Sequence, residues 1–196
     1  MKQIFLLGDS IRIGNHGDVG YEYFLRRRWE GKYRVWSPAE NCQFAQYALR
    51  HLCRWAAECP ATEIDLVVWN FGLWDVLRMY DDGPLTPPET YELMLRRLVR
   101  RIQLLFPKAK QLFLTSTYTV EERYSGPSVR RNGDIRQYNA LAERVMAEMN
   151  IPVLDLYAAS EALPMAWRKD HVHYTHEGSQ ALAEMIAQAA EPNLAV

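Results

Sequence analysis

The sequence predicts an α/β protein, with a parallel β-sheet covered by helices on both faces. Two observations carry this. Short apolar runs alternate along the chain with longer segments whose apolar residues recur at the helical period. The short runs are also near-continuous, without polar–apolar alternation, which is the pattern of strands buried on both sides. Right-handed crossovers follow from strand twist.

The elements can be justified in order. The first strand is "QIFLLG" (3–8). Arg26, Arg27 and Arg28 then mark the polar face of a helix, and "YRVWSP" (33–38) is the second strand. Ala45, Ala48, Leu49, Leu52 and Ala56 form one helical stripe. The third strand is "DLVVWNFG" (65–72). Thr86-Pro87-Pro88-Glu89 reads as a capping box with proline at the first helical position. The stripe Tyr91, Leu95, Leu98, Ile102 and Leu105 follows, and Pro107 ends it. "QLFLTST" (111–117) is the fourth strand, Tyr138, Leu141, Ala142, Val145 and Met149 are the third stripe, and "IPVLDLY" (151–157) is the fifth strand. Asp155 reads as a structural acid near the end of that strand. A last helix runs from about Glu177 to Ala190, capped by Thr175.

With 196 residues, no repeat and no linker, the sequence reads as one domain over 1–196. A net charge of −1 gives no global attraction to nucleic acid or to an acidic membrane surface. The apolar runs are too short to span a bilayer. Met1-Lys2-Gln3 leads straight into an apolar run that is shorter than a signal-peptide core and lacks a cleavage site. The expected location is therefore the cytoplasm. Cys42, Cys53 and Cys59 are odd in number and lack zinc spacing, which fits reduced thiols. No metal or cofactor is expected.

Parallel strands deliver their C-terminal residues to one edge, where open α/β sheets bind ligands. Ser10 follows the first strand, while Asn70, Gly72 and Asp75 follow the third. The segments 74–86 and 118–134 read as loops at that edge, either pocket walls or solvated surface. The second carries Glu121, Glu122, Arg123, Arg130 and Arg131. A serine is a weak nucleophile without a base. "KDHVHYTHEG" (169–178) offers one, because Asp170 and His173 stand three apart in a turn before the last helix. There the carboxylate can reach the imidazole and fix its tautomer. Asp9 would brace the serine turn. Taken singly, Ser10 also fits a turn serine, His173 a loop histidine and Asp170 a loop acid.

"GDSI" after the first strand, the Asn/Gly/Asp cluster after the third, and "DHVHYTHEG" before the last helix together resemble the SGNH (GDSL-type) hydrolases. The third block resembles a branch with N-x-G-L-[H/W]-D. The resemblance implies a three-layer αβα sandwich with a five-stranded parallel sheet in flavodoxin-like order. It also implies ester hydrolysis through an acyl-serine, with Ser10 as nucleophile, His173 as general base and Asp170 orienting it. The Ser10 N–H would be one oxyanion donor.

Two blocks depart from the family pattern. No glycine lies between Gly31 and Gly72, so in "PAENCQFAQYALRHL" (38–52) the second-block glycine slot falls on Cys42 or Gln43. A backbone N–H survives either substitution. In the third block Trp74 stands where the donor asparagine belongs, which leaves Asn70 as a side-chain donor or a prop for the loop. Asn41, Trp74 and Tyr118 are possible pocket residues, and Trp167 and His16 could also contact substrate. The implied partner is a small-molecule ester, with acetyl on a sugar or small alcohol as the analogy. Nucleic acid and membrane are not expected, and the oligomeric state is not legible. The alternatives are a binding module that has lost turnover, or an acyltransferase using the same serine.

Overall fold

All five expected strands pair into one sheet, and every pairing is parallel. The computed structural model describes residues 1–15, 17–80 and 82–195. In chain order the elements are β1 (Lys2–Leu7), α1 (Ser10–Ile13), α2 (Tyr21–Arg28), β2 (Tyr33–Trp36), α3 (Ala45–Ala57), β3 (Leu66–Trp69), β4 (Arg78–Met79), α4 (Pro88–Leu105), β5 (Lys110–Leu114), β6 (Ser128–Val129), α5 (Asn132–Glu148), β7 (Val153–Leu154), α6 (Leu156–Glu161) and α7 (His176–Leu194). The sheet order is β2-β1-β3-β5-β7, which is flavodoxin-like. The chain moves outward from β1 to β2 and then returns to β3. The topological switch point therefore lies between the C-terminal ends of β1 and β3, where a crevice opens in such sheets.

The core explains the strand pattern. Ile4 to Leu7 and Leu66 to Trp69 are fully buried, because helices cover both faces of the central strands. α3, α4 and α5 pack side by side in one layer, and α2 and α7 form the other. Ala45, Ala48, Leu49, Leu52 and Ala56 all face the core. So do Tyr91, Leu95, Leu98 and Ile102 on α4, and Tyr138, Ala142 and Val145 on α5. Leu105, Leu141 and Met149 lie at the margins, half-buried.

Three local expectations change. The capping box at Thr86 does not form. α4 starts at Pro88 with Pro87 in the cap position, and the Thr86 hydroxyl instead donates to Gln46 Oε1 at 3.0 Å. α7 continues past Ala190 to Leu194, with Pro192 in its final turn. The two segments read as loops are joined by a short antiparallel ribbon, pairing Arg78 with Val129 and Met79 with Ser128. Arg78 secures it with a fork to both oxygens of Asp134, at 2.7 and 3.2 Å.

Candidate active site

β1 ends in the tight turn Gly8-Asp9-Ser10. A side chain at Gly8 would place its Cβ 2.3 Å from Asn70 Oδ1, so only glycine lets β1 and the end of β3 approach this closely. Asp9 caps α1, its Oδ1 accepting the Ile11 N–H at 2.9 Å. Ser10 is the first residue of that helix, where a backbone N–H has no intrahelical acceptor.

The far end of the chain meets this turn. Asp170 Oδ1 accepts the N–H groups of Val172 and His173, both at 2.7 Å, and this winds the segment back on itself. Its Oδ2 then stands 2.8 Å from His173 Nδ1, and His173 Nε2 stands 2.9 Å from Ser10 Oγ. Thr175 caps α7 immediately afterwards, accepting from the Gly178 N–H at 3.4 Å. Burial pushes the Asp170 carboxyl up, but the two N–H bonds and the imidazole outweigh it and hold the group down at about 2. A carboxylate in this position can fix the Nδ1–H tautomer, and Nε2 is then able to accept a proton from Ser10 Oγ.

Cys42 and Gln43 differ in their backbone geometry within the second-block loop. The Cys42 N–H donates to the Gly8 carbonyl at 3.1 Å. Its side chain is fully buried, with the thiol 3.8 Å from Arg12 Nη2. Gln43 takes the left-handed conformation, φ 52°, that suits glycine. Its N–H is held by Asn41 Oδ1 at 2.8 Å, which makes Asn41 a turn-former.

Residues 6–181 match the GDSL-like lipase/acylhydrolase family. The chain belongs to this family. The family acts on ester bonds. Solved structures agree in fold over nearly the full length. A lipase/acylhydrolase from Enterococcus faecalis superposes with a TM-score of 0.78 at 21% identity, covering 98% of this chain and 96% of that one. An acetylxylan esterase from Geobacillus stearothermophilus gives 0.69 at 22% identity, covering 95% and 93%. An α/β hydrolase from the metagenome of Lake Arreo, Spain, gives 0.71 at 20%, covering 100% and 97%. No curated protein sequence matches the chain.

Within this acylhydrolase-family chain, the remaining sequence candidates separate. Asn70 is buried at the switch point, its Oδ1 against Gly8 and 3.4 Å from the Tyr21 hydroxyl. Asp75 is fully buried, and both its oxygens accept the Ala45 N–H, at 3.2 and 3.3 Å. It thus caps α3 from the third block, and burial pushes its carboxyl up to about 7 against the pull of Thr86 and the Ala45 N–H. Trp74 is half-buried beneath Arg130, whose Cζ lies 5.8 Å from its ring centre. Tyr118 belongs to a different cluster. Its N–H donates to Ser160 Oγ at 2.9 Å, its carbonyl accepts from Arg168 Nη1, and its ring lies under that guanidinium. A small cleft beside Ser10 and His173 is lined by Ile11, Asn15, Val19 and Tyr174, and Asn41, Trp74 and Tyr118 do not line it. Trp167 gives its carbonyl to the Thr175 N–H, and His16 lies outside the described residues.

Sequence reasoning missed Arg12. This fully buried arginine donates from Nε to the Gly8 carbonyl at 3.2 Å. Its Nη2 reaches the Pro38 and Glu40 carbonyls at 3.1 and 2.6 Å, and its Nη1 pairs with Glu22. It joins the nucleophile turn to the loop that carries Gln43. No local signal marks it, because its partners come from three separate segments, the β1 turn, α2 and the 38–42 loop. Among the described residues, no three His, Cys, Asp or Glu side chains cluster as a metal site, and no helix is long and apolar enough to cross a membrane.

Proposed function

We propose that this chain is a serine esterase acting on short, acetyl-like esters through an acyl-Ser10 intermediate. The observation that carries the reading is the unbroken hydrogen-bond chain Ser10 Oγ–His173–Asp170, with links of 2.9 and 2.8 Å. Ser10 Oγ attacks the ester carbonyl carbon as its proton passes to His173 Nε2. The oxyanion is held by the Ser10 N–H, and the Gln43 N–H becomes a second donor if Asn41 Oδ1, which accepts it at 2.8 Å, turns away. Collapse expels the alcohol, which takes the proton from His173. Water then attacks the acyl-serine by the same path, with His173 again the base. Losing one oxyanion donor typically costs about 10²–10³ in kcat, which is the scale at stake in the Asn41–Gln43 contact.

The intact relay supports turnover over a binding module. The acetyl preference rests on analogy with the acetylxylan esterase noted above. Three free cysteines, one of them exposed, support a reducing compartment such as the cytoplasm. The test is release of 4-nitrophenol from 4-nitrophenyl acetate by the wild type and by Ser10→Ala. Burst kinetics with the wild type and background rates with the variant support the reading. Equal rates from the two proteins overturn it. Adding alcohols or sugars and assaying acylated products separates hydrolysis from acyl transfer.

A further inference from the structure

We propose that Arg130 is a specificity residue that selects esters carrying a carboxylate. The proposal rests on the esterase reading and names the substrate class for the same site.

Arg130 follows directly on β6, so the β4–β6 ribbon fixes where it starts. Its Nε N–H donates to the carbonyl of Leu73 in the third block, at the end of the strand next to β1. Its planar face lies over Trp74. The Tyr124 hydroxyl also lies beside its guanidinium, and the Nη edge not used by these contacts is the part of the fork that can grip a carboxylate. Among the described residues Arg130 forms no ion pair with any carboxylate.

The charge lies close to the catalytic turn. Burial raises the Asp9 carboxyl, and Arg130 opposes that rise more strongly than His173 does. His171, next to Asp170, is lowered first by burial and also by repulsion from Arg130. The His171 and Tyr124 rings pack tilted with centroids 4.1 Å apart, so the rim between the third block and the histidine segment is aromatic beside the Arg130 charge. Arg123 adds to it. Its Nη1 donates to the carbonyls of Arg168 and Asp170, at 3.0 and 3.4 Å, and it too pairs with no carboxylate among the described residues. Of the acids in that loop, Glu121 accepts the Asn132 N–H at 2.7 Å and Glu122 is exposed to solvent. Asp170 is the carboxylate of the relay, and Arg130 supplies charge of the opposite sign for an anionic substrate.

The experiment compares kcat/KM on two pairs of esters. 4-Acetoxybenzoate against 4-acetoxybenzamide places the charge on the alcohol side. 4-Nitrophenyl hydrogen succinate against 4-nitrophenyl butanoate places it on the acyl side. The wild type is expected to prefer the anionic member of at least one pair by about tenfold or more, the scale of a hydrogen bond between charged groups. Arg130→Gln abolishes the preference and leaves the neutral esters within about threefold, while Arg130→Lys retains part of it. Because the preference is electrostatic, it shrinks in the wild type as salt is added, which requires no variant. No charge preference in either pair, or an equal loss on neutral and anionic esters in Arg130→Gln, overturns the proposal. Turnover of none of the four esters by the wild type would sink the esterase reading itself, and this proposal with it.

Discussion

Arg12 Nε donates to the carbonyl of Gly8, four residues before it, at 3.2 Å, and that same oxygen accepts the Cys42 N–H at 3.1 Å. One carbonyl thus joins the nucleophile turn to the second-block loop, with a guanidinium clamped behind it. Arg12→Met leaves the carbonyls of Pro38 and Glu40 without their donor. We expect a loss of about 3 kcal/mol in urea unfolding, the scale for breaking a buried charged network. Arg12→Lys keeps the charge and loses the fork, so it recovers only part of that stability. Wild-type stability in Arg12→Met would contradict the clamp.

Gln43 holds φ 52° without being glycine. A left-handed residue with a side chain carries a strain of about 1 kcal/mol, so Gln43→Gly is expected to match or exceed wild-type stability by up to that amount. Esterase activity is retained, because the proposed donor is a backbone N–H. A marked loss of stability would mean that the glutamine side chain packs in a way that outweighs its backbone strain.

The fold was legible because its signals are local. β1 and β3 are apolar throughout since both faces are covered, and the stripe from Tyr91 to Ile102 repeats at the period of the helix that it forms. The approach of Asp170 to His173 was legible for the same reason, since three residues of one turn bring the two together. What escaped depends on contacts between distant segments or on backbone geometry. The β4–β6 ribbon has two residues per strand, too few for an alternation to register. The left-handed position falls on a glutamine, which carries no glycine signature. Thr86 has the spacing of a cap, but Pro87 takes the cap position and Thr86 turns to Gln46 and Asp75. Arg12 sits between Ile11 and Ile13 and is buried by partners that only the folded chain assembles.

Asp75 gives a pH dependence with a definite sign. Burial raises its carboxyl from the usual 3.8 to about 7 in the folded chain. Between those values the folded protein keeps a proton that the unfolded chain has lost. Its stabilising effect is therefore complete below about pH 4 and drains away as the pH rises to about 7. Relative to Asp75→Asn, the wild type should lose stability across this window by at most about 1.4 kcal/mol per pH unit, and no further above it. Urea unfolding of both proteins from pH 4 to 9 reads this directly. A difference that grows with pH would show that Asp75 is ionised throughout and stabilised by the Ala45 N–H.

Asp170→Asn tests the tautomer argument. An amide can still accept the Val172 and His173 N–H groups, so the turn should survive. Its NH₂ would face His173 Nδ1 and force the proton onto Nε2, where it cannot accept from Ser10. We expect kcat to fall about 10³–10⁴-fold with little change in melting temperature. A variant with near-wild-type turnover would remove Asp170 from the relay.

The central claim is that Ser10 is activated by His173. The most direct measurement is peptide mapping by mass spectrometry after treatment with a fluorophosphonate, for the wild type and for His173→Ala. The account predicts a phosphonyl adduct on the Ser10 peptide of the wild type, formed in step with loss of esterase activity, and labelling of His173→Ala slowed by orders of magnitude. An adduct on another residue, or equal labelling of the two proteins, would contradict it.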